Sequence, residues 1–363
     1  MLFNLGDKMK IPFCDLNRQY DLFPDMQFEI DKAILNTVSS GIYIGGQEVK
    51  LFEEEFAKYQ GVKYAISCGS GTDALYLALM SLGIGKGDEV ITTPYTYIAT
   101  VSAIERTGAT PVFVDINDND FLINVDKIEE KITDKTKAIL PVHLFGSFCA
   151  MVSLDHIKDI YKLKVIEDCA QTTHTIVTSL GCFSFFPSKI LGCFGDGGMI
   201  TTNKEDLRDI IIQLKSNGSN IGDKYNYSKI GINSRLDSIQ AAILRVKLPY
   251  LDEMVKERRK VAEMYSNALN LPIPNGYPIY SNYVIRVPNR DSLRVKLANN
   301  GVETMIYYPK PLHLQECFRY LRYKEGDFPN AEKASKEALA LPFFVGMTET
   351  EVNYVCDIIR GIK

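Results

Sequence analysis

The chain has 363 residues, of which 46% are apolar and 24% charged, and its formal net charge is −4. These values are typical of a globular protein and exclude a disordered or fibrous one; the length allows one large core and a second, smaller domain. No run approaches the roughly 18–20 apolar residues of a membrane span, the N-terminus lacks a signal-peptide pattern, and no basic run indicates nucleic acid. We therefore expect a cytoplasmic protein without membrane insertion or a nucleic-acid partner.

The cysteines and histidines predict neither disulfides nor a metal site. The eight cysteines form no C-x-x-C pair, and they share no ligand-like spacing with the four histidines. Reduced, mostly buried thiols are the expectation for such a sequence. Because Met9 is itself a plausible start, we treat residues 1–8 as an extension outside the fold.

A candidate anion site follows the helix, turn and helix predicted over residues 16–61. Residues 64–80 predict a strand, a loop rich in Gly, Ser and Thr at 68–73, and a helix. In this arrangement free backbone N–H groups and the helix dipole point at one place, which suits a phosphate. An ordinary N-cap formed by Thr72 or Asp73 is the alternative. The loop matches neither the Walker nor the dinucleotide fingerprint, which argues against ATP and NAD.

Apolar strand-like runs then alternate with helical patterns. The predicted strands are 89–93, 111–115, 138–143, 164–168 and 199–202, and the predicted helices are about 98–107, 125–132, 153–162 and 204–216. Such alternation indicates an α/β fold whose mostly parallel sheet has helices on both faces. Ligands of these sheets bind at the carboxyl ends of the strands. That rule selects Asp168, which ends a strand, and Tyr97, which follows one.

The segment around Lys189 is the strongest candidate for chemistry. A short apolar strand at 183–186 leads into the lysine, and glycines that allow a tight turn follow at 192, 195, 197 and 198. Four phenylalanines surround it in sequence, at 183, 185, 186 and 194. Partial desolvation lowers the pKa of a lysine and frees its amine to form a Schiff base. On spacing alone, a solvated surface lysine is the alternative.

The C-terminal third predicts a separate, smaller unit. A long helical pattern at 236–269 leads out of the large domain, and shorter elements follow: a strand at 283–287 and helices near 292–299 and 349–359. We therefore predict a large domain at 9–245 and a small α+β domain at 246–363.

These candidates together fit pyridoxal phosphate (PLP). A phosphate cradle, an aromatic face, a carboxylate at a strand end and a lysine are the parts that this cofactor needs. The protonated ring nitrogen makes the ring an electron sink only while a negative charge lies beside it, which is the role predicted for Asp168.

Seven ordered motifs resemble those of the DegT/DnrJ/StrS sugar aminotransferases. They are Gly71-Thr72-Asp73-Ala74, Pro94-x-Thr96-Tyr97, Glu167-Asp168-Cys169-Ala170-Gln171, Ser184-Phe185-Phe186-Pro187-Ser188-Lys189, Gly195-Asp196-Gly197-Gly198, residues 231–242 and residues 308–315. The resemblance extends from Ile11 over nearly the whole chain. It implies a type I PLP-transferase fold and a homodimer with the active site at the dimer interface.

The resemblance also implies a role for each matching residue. Lys189 would carry the cofactor as an imine and move the proton between cofactor and substrate carbons, and Asp168 would pair with the ring nitrogen. The other cofactor-binding residues would be Gln171 near the ring hydroxyl, Tyr97 on the ring face, Gly71, Thr72 and Ser184 at the phosphate, and Asn233 from the neighbouring subunit. The residues implied for the nucleotide-sugar side are Arg235, Tyr307, Tyr308 and His313.

The implied reaction moves an amino group from L-glutamate to a nucleotide-linked keto sugar, at C3 of a UDP- or dTDP-linked 3-keto sugar. The UDP-linked 2-acetamido-3-keto branch is the nearest likeness. Related sugar dehydratases have histidine at the place of Lys189, so the lysine favours transfer over dehydration. Intact Asp168 and Gln171 argue against a non-catalytic PLP-binding protein. Two departures concern substrate contacts: the segment 172–182 is short, and Tyr307 stands where most relatives have histidine.

Overall fold

The computed structural model describes residues 9–174, 180–272 and 278–361. The extension assigned to residues 1–8 lies outside the described residues, and so do positions 175–179 of the short segment 172–182.

Twelve α-helices and eleven strands lie within the described residues. The helices are α1 (Arg18–Leu22), α2 (Pro24–Ser40), α3 (Gly46–Gln60), α4 (Gly71–Ser81), α5 (Ile98–Thr107), α6 (Met151–Tyr161), α7 (Glu205–Lys215), α8 (Ser238–Lys247), α9 (Leu251–Leu269), α10 (Arg290–Asn299), α11 (Pro329–Glu337) and α12 (Glu349–Arg360). The strands are β1 (Tyr64–Cys68), β2 (Glu89–Thr92), β3 (Thr110–Phe113), β4 (Thr136–Ile139), β5 (Lys164–Asp168), β6 (Leu180–Ser184), β7 (Gly198–Thr202), β8 (Ser219–Asn220), β9 (Asp223–Tyr227), β10 (Tyr283–Arg286) and β11 (Ala338–Leu341). None of the helices in this part of the chain combines the length and apolarity needed to cross a membrane.

The central sheet has seven strands in the order β1-β7-β6-β5-β4-β2-β3. Strand β7 runs antiparallel to both of its neighbours, whereas the pairs from β6 to β3 are parallel. The predicted mostly parallel sheet is therefore confirmed.

Helices cover both faces of this sheet. Successive side chains of a strand point to opposite faces, and β2, β4 and β5 accordingly supply two separate cores: Ile91, Ile139 and Val165 belong to one, and Val90, Ala138 and Ile166 belong to the other. Helix α6 packs on the first face, and α4 and α7 pack on the second. Strands buried on both faces are the arrangement that the near-continuous apolar runs predict.

The C-terminal residues form a smaller unit around the antiparallel pair β10 and β11. Side chains of α9, α10 and α12 share one core with that pair. Ile11 joins this core from the N-terminal end, and its N–H donates to the carbonyl of Gly301 at 2.9 Å. The domain boundary at 245/246 lies inside α8 and stays a prediction.

Two predicted helices differ from the structure. Residues 125–132 form two 3₁₀ turns, Val125–Lys127 and Glu129–Lys131, instead of an α-helix. The Asn124 side chain accepts from the Asp126 N–H at 3.1 Å, and the hydrogen bonds that follow span three residues, which suits a short connection to β4.

The helix predicted over 236–269 is divided into α8 and α9. A 3₁₀ turn, Leu248–Tyr250, separates the two helices. Pro249 lies in this turn, and proline lacks the N–H that a continuous α-helix requires.

Candidate active site

The candidate residues meet where β5 and β6 end. Asp168 is the last residue of β5, and Ser184 is the last residue of the neighbouring parallel strand β6. Asp168 pairs in register with Cys182, so the chain that leaves β6 towards Lys189 starts beside this carboxylate. The site therefore lies at the sheet edge that the strand-end rule indicates.

A tight turn carries Lys189. Its own N–H donates to the Phe186 carbonyl at 2.8 Å, and the Cys193 N–H donates to the Phe185 carbonyl at 2.8 Å. Gly192 closes the turn, because a Cβ atom there would lie 2.3 Å from the Pro187 carbonyl oxygen. Only glycine fits such a close backbone approach.

Lys189 lines a small cavity. Gln171, Ser184, Phe185 and Ser281 line this cavity with it. Burial lowers the pKa of Lys189, and the negative charge of Asp168 opposes that shift. A lowered pKa raises the fraction of neutral amine, which is the form that attacks a carbonyl carbon.

Asp168 is buried, and both of its carboxylate oxygens accept hydrogen bonds. Thr100 Oγ1 donates to Oδ2 at 2.8 Å, and the Ala170 N–H donates to Oδ1 at 3.1 Å. Burial raises the pKa of Asp168; the Thr100 hydroxyl, the Ala170 N–H and the charge of Lys189 act in the opposite direction. These partners favour the ionised carboxylate.

The segment predicted as an anion cradle is the loop between β1 and α4. Ser70 is the N-cap residue of α4, and its Oγ accepts from the Asp73 N–H at 3.1 Å. The alternative that Thr72 or Asp73 caps this helix is wrong, because the capping side chain must precede the first helical residue. Among the described residues, no hydrogen-bond acceptor faces the N–H groups of Gly71 and Thr72, which leaves them available to an anion.

The start of α4 packs directly against the end of β6. A Cβ atom at Gly71 would lie 2.7 Å from Ser184 Cβ. Any larger residue at this position would therefore displace either the helix N-terminus or the serine. The N-terminus of α4, with its free N–H groups, therefore lies directly against the residue that carries the Ser184 hydroxyl.

The Gln171 side chain has a fixed orientation. Its Oε1 accepts from the Phe145 N–H at 2.8 Å and from Ser281 Oγ at 3.3 Å, and its Nε2 donates to the Tyr308 hydroxyl at 3.2 Å. Burial raises the pKa of Tyr308, so its phenol stays protonated. The more exposed ring of Tyr97 lies near that of Tyr308, with 6.4 Å between the ring centroids.

Tyr95, which the sequence does not single out, holds the segment that carries Tyr308. The fully buried Tyr95 hydroxyl donates to the Tyr307 carbonyl at 2.5 Å and accepts from the Tyr308 N–H at 3.1 Å. One hydroxyl group therefore binds both the Tyr307 carbonyl and the Tyr308 N–H. No sequence signal separates Tyr95 from an ordinary core tyrosine.

Asn233 and Arg235 lie on the outer side of the anion cradle. Both are exposed, and they line an open groove together with Ser70 and Asp73. Ser234 anchors them, because its buried Oγ accepts from the Gly69 N–H at 2.8 Å and donates to Asp73 at 2.7 Å.

His313 lies apart from the other candidates. The imidazole is buried, its Nε2 is 3.1 Å from Glu332 Oε1, and its ring packs on Phe328. Burial lowers the pKa of His313, and Glu332 opposes that shift. The Tyr307 ring packs edge-on against Phe13. The roles assigned to His313 and Tyr307 stay predictions.

Together these groups define a site for amine and carbonyl chemistry on a phosphorylated ligand. The chain belongs to the DegT/DnrJ/EryC1/StrS aminotransferase family, whose model matches residues 24–360. The resemblance inferred from the seven motifs is confirmed.

Three relatives match nearly the full length of the chain. The "pleiotropic regulatory protein" of Geobacillus stearothermophilus is 42% identical, with 96% of this chain and 97% of that protein covered. The dTDP-3-amino-3,6-dideoxy-alpha-D-galactopyranose transaminase of Aneurinibacillus thermoaerophilus is 42% identical, with 96% and 99% covered. The UDP-2-acetamido-2-deoxy-3-oxo-D-glucuronate aminotransferase of Pseudomonas aeruginosa is 37% identical, with 95% and 98% covered.

A solved structure agrees with this chain over its whole fold. The structure of NtdA from Bacillus subtilis contains the bound cofactor PMP (pyridoxamine phosphate). It has a TM-score of 0.92 and 31% identity, with 99% of this chain and 87% of that chain covered. The predicted fold class is therefore confirmed.

Proposed function

We propose that this protein is a PLP-dependent aminotransferase that moves an amino group from L-glutamate to C3 of a nucleotide-linked 3-keto sugar. The observation that carries the proposal is the half-buried side chain of Lys189, whose amine interacts electrostatically with the buried carboxylate of Asp168. This pair lies on the fold of an aminotransferase family.

The residues present fit PLP. Gly71, Thr72 and Ser184 would bind the phosphate, because a Cβ atom would fill the space at Gly71 and two N–H groups there lack acceptors within the described chain. Tyr97 would lie on the ring face and Gln171 near the ring hydroxyl. Bound PLP supplies an aldehyde that condenses with amines and a ring that takes up an electron pair.

The chain's own groups then position atoms and move one proton. Asp168 would hold a proton on the ring nitrogen of bound PLP through its negative charge. Lys189 Nζ would take a proton from one carbon and return it to another, and burial, which lowers its pKa, favours the neutral amine that accepts this proton. Hydrogen bonds with Phe145, Ser281 and Tyr308 hold the Gln171 amide in place. Gln171 would therefore contact the ring hydroxyl without changing its own conformation.

Relatives support a 3-keto sugar as the amino acceptor. The names of the relatives from Aneurinibacillus thermoaerophilus and Pseudomonas aeruginosa place the nitrogen or the ketone at C3, one on a dTDP-linked and one on a UDP-linked sugar. We propose the same position for this chain with either nucleotide. Arg235 would bind the nucleotide phosphates, for which a guanidinium is well suited, and Tyr307 and Tyr308 would serve the sugar side. The sugar-side role of His313 stays a prediction from the sequence, because its imidazole is buried against Glu332 and Phe328.

We further propose a homodimer in which Asn233 reaches the phosphate of the neighbouring site. Asn233 is exposed and bridges to Ser216 beside the hairpin of β8 and β9. Apolar side chains are exposed on this hairpin and just after it, at Ile221, Tyr225, Tyr227 and Ile230, and such a patch is typical of an interface.

The cytoplasmic location of the protein stays a prediction from the sequence.

Mixed dimers test the shared site. Lys189→Ala and Asn233→Asp chains are each expected to be inactive alone. Mixed after dissociation, they are expected to regain activity, because one site then combines an intact lysine with an intact partner asparagine. Failure of the mixture, with both variants shown to exchange subunits, would contradict a shared site.

Two alternatives use the same scaffold. A sugar dehydratase is disfavoured by the lysine at position 189. The name of the Geobacillus relative is consistent with a non-catalytic regulatory protein, but a purely structural role does not require Lys189, Asp168 and Gln171 together.

An absorbance spectrum before and after addition of glutamate tests the proposal. The visible band of lysine-bound PLP is expected to disappear with glutamate and to return with a 3-keto sugar nucleotide. Lys189→Ala is the control, and it should show neither the band nor turnover. Bound PLP that does not respond to glutamate would overturn the amino donor, and absence of the band in the PLP-treated protein would overturn the whole proposal.

A further inference from the structure

We propose that the hydroxyl groups of Thr96 and Thr100 form a relay that holds the Asp168 carboxylate ionised for the ring nitrogen of PLP, so that Thr100 is a positioning residue of this site. The inference rests on the proposed function, which assigns Asp168 to that nitrogen. The sequence alone assigns Thr100 no role beyond its place in the predicted helix 98–107.

The three side chains form a continuous buried chain of hydrogen bonds. Thr100 Oγ1 donates to Asp168 Oδ2 at 2.8 Å and lies 3.0 Å from Thr96 Oγ1. The exposed fractions are 2% for Thr96, 1% for Thr100 and 4% for Asp168. Water therefore does not compete for these hydroxyl groups, and their loss is not repaired by solvent.

Other hydroxyl groups on α5 behave differently. Ser102 and Thr107 donate to carbonyls of their own helix, those of Ala99 and Ile104, at 3.2 and 2.7 Å. Serine and threonine side chains within a helix commonly donate to a carbonyl of an earlier turn of the same helix. Thr100 instead directs its hydroxyl out of the helix to a strand that lies 68 residues further along the chain.

The protonation state of Asp168 decides the direction of the relay. An ionised carboxylate only accepts hydrogen bonds, so Thr100 must donate to it and is then left to accept from Thr96. The second carboxylate oxygen already accepts from the Ala170 N–H. Donors at both oxygens stabilise the charged form and counteract the burial that raises the pKa of Asp168.

Other groups also face Asp168 from the elements around it. Lys189, after β6, and His143, after β4, favour the charged form. Tyr308 from the C-terminal part and Cys182 of β6 also lie near enough to interact with it. A substitution at position 100 leaves all four of these groups in the protein. A change in how ligand binding by that variant depends on pH is therefore caused by the loss of the Thr100 hydroxyl.

Binding of PMP to the full chain, measured as a dissociation constant between about pH 6 and pH 9, tests the relay. Thr100→Val keeps the shape of the side chain and removes the hydroxyl, and it is expected to bind PMP about tenfold more weakly. The deficit is expected to grow as the pH falls, because loss of the donor raises the pKa of Asp168. Thr100→Ser restores the hydroxyl and is expected to recover the wild-type pH profile, while Thr107→Val on the same helix is the matched control.

Two results would overturn the relay. One is a Thr100→Val protein with the wild-type dissociation constant at every pH. The other is a loss that is equal at every pH and persists in Thr100→Ser, which would indicate packing alone. If Thr100→Val does not fold, Thr96→Val takes its place in the experiment. A smaller loss of PMP affinity that also grows as the pH falls supports the relay, and a wild-type dissociation constant at every pH overturns it.

The proposed function fails separately. A wild-type chain that binds no PMP at any pH would overturn the proposed function together with the relay. A wild-type chain that binds PMP and exchanges amino groups, but whose pH profile is insensitive to both threonines, would overturn the relay alone.

Discussion

The buried ammonium group of Lys247 donates a hydrogen bond to the carbonyl oxygen of Gly192 at 2.6 Å. This bond connects the end of α8 to the glycine that closes the turn of Lys189. The lysine side chain is buried, and burial lowers its pKa to about 8. A structural lysine therefore lies behind the turn that carries the proposed catalytic lysine.

Replacing Lys247 with methionine is expected to change how stability depends on pH. The pKa of Lys247 is about 8 in the folded chain and about 10.4 in the unfolded chain, so the unfolded chain binds more protons between these values. The free energy of unfolding of the wild type therefore rises through this window. Relative to Lys247→Met, we expect a gain on the order of 2 kcal/mol between about pH 7.5 and pH 9.5.

Denaturant unfolding at several pH values checks this prediction. The exposed lysine of Lys32→Met is a suitable control, because its loss should leave the pH dependence of the wild type unchanged. Parallel curves for the wild type and Lys247→Met across the window would contradict the prediction.

Asp168→Asn is expected to lower the rate of the glutamate half-reaction by about 10²–10³-fold, the range typical for loss of one preorganised electrostatic group. The amide has the same shape but no charge, so it does not hold a proton on the ring nitrogen. Stopped-flow absorbance measures this rate directly. The visible band of lysine-bound PLP should persist in the variant, and a wild-type rate would show that the assigned role is wrong. Asp118→Asn, at an exposed aspartate, is the control.

The main parts of the site could be predicted because local pattern determines them. Asp168 and Tyr97 follow from the rule that ligands bind where parallel strands end, and Lys189 follows from its flanking phenylalanines and glycines. The anion cradle follows from a strand, a glycine-rich loop and a helix. Each of these signals lies within a few residues of the group that it identifies.

Contacts between distant segments could not be predicted in this way. The bond from Thr100 to Asp168 joins residues 68 positions apart, and that from Tyr95 to Tyr307 spans 212. Helical periodicity also did not show that α8 ends at Lys247, before the turn that contains Pro249, or that the Lys247 side chain faces inwards. These features depend on how the elements pack, which a single sequence does not encode locally.

Gly71→Ala is expected to weaken PLP binding by about tenfold or more and to lower stability by about 1–3 kcal/mol, the usual cost of overpacking. The new Cβ atom would lie 2.7 Å from Ser184 Cβ, so it would push α4 away from the end of β6 and widen the phosphate cradle. Equilibrium dialysis with PLP gives the affinity, and thermal unfolding gives the stability. Gly85→Ala is the matched control, since its nearest atom would lie at an ordinary 3.5 Å. Equal effects of the two substitutions on PLP affinity would argue against the cradle.

Tyr95→Phe is expected to raise KM for the sugar nucleotide while leaving the glutamate half-reaction nearly unchanged. The substitution removes only the hydroxyl, and the partly buried N–H of Tyr308 then lacks its acceptor. Leaving a fully buried donor unpaired costs about 1–3 kcal/mol, so the free energy of unfolding should fall by an amount at the lower end of this range. The segment that carries Tyr307 and Tyr308, both assigned to the sugar side, should also lose its fixed position.

Tyr265→Phe separates this effect from a general loss of stability. The Tyr265 hydroxyl is also fully buried and donates to a carbonyl, that of Pro342 at 3.0 Å, in the core of the C-terminal unit. Both variants should therefore be less stable, but only Tyr95→Phe should raise KM for the sugar. If the two variants had the same KM, Tyr95 would act only on stability, and the assignment of the Tyr307 and Tyr308 segment to the sugar side would lose its support.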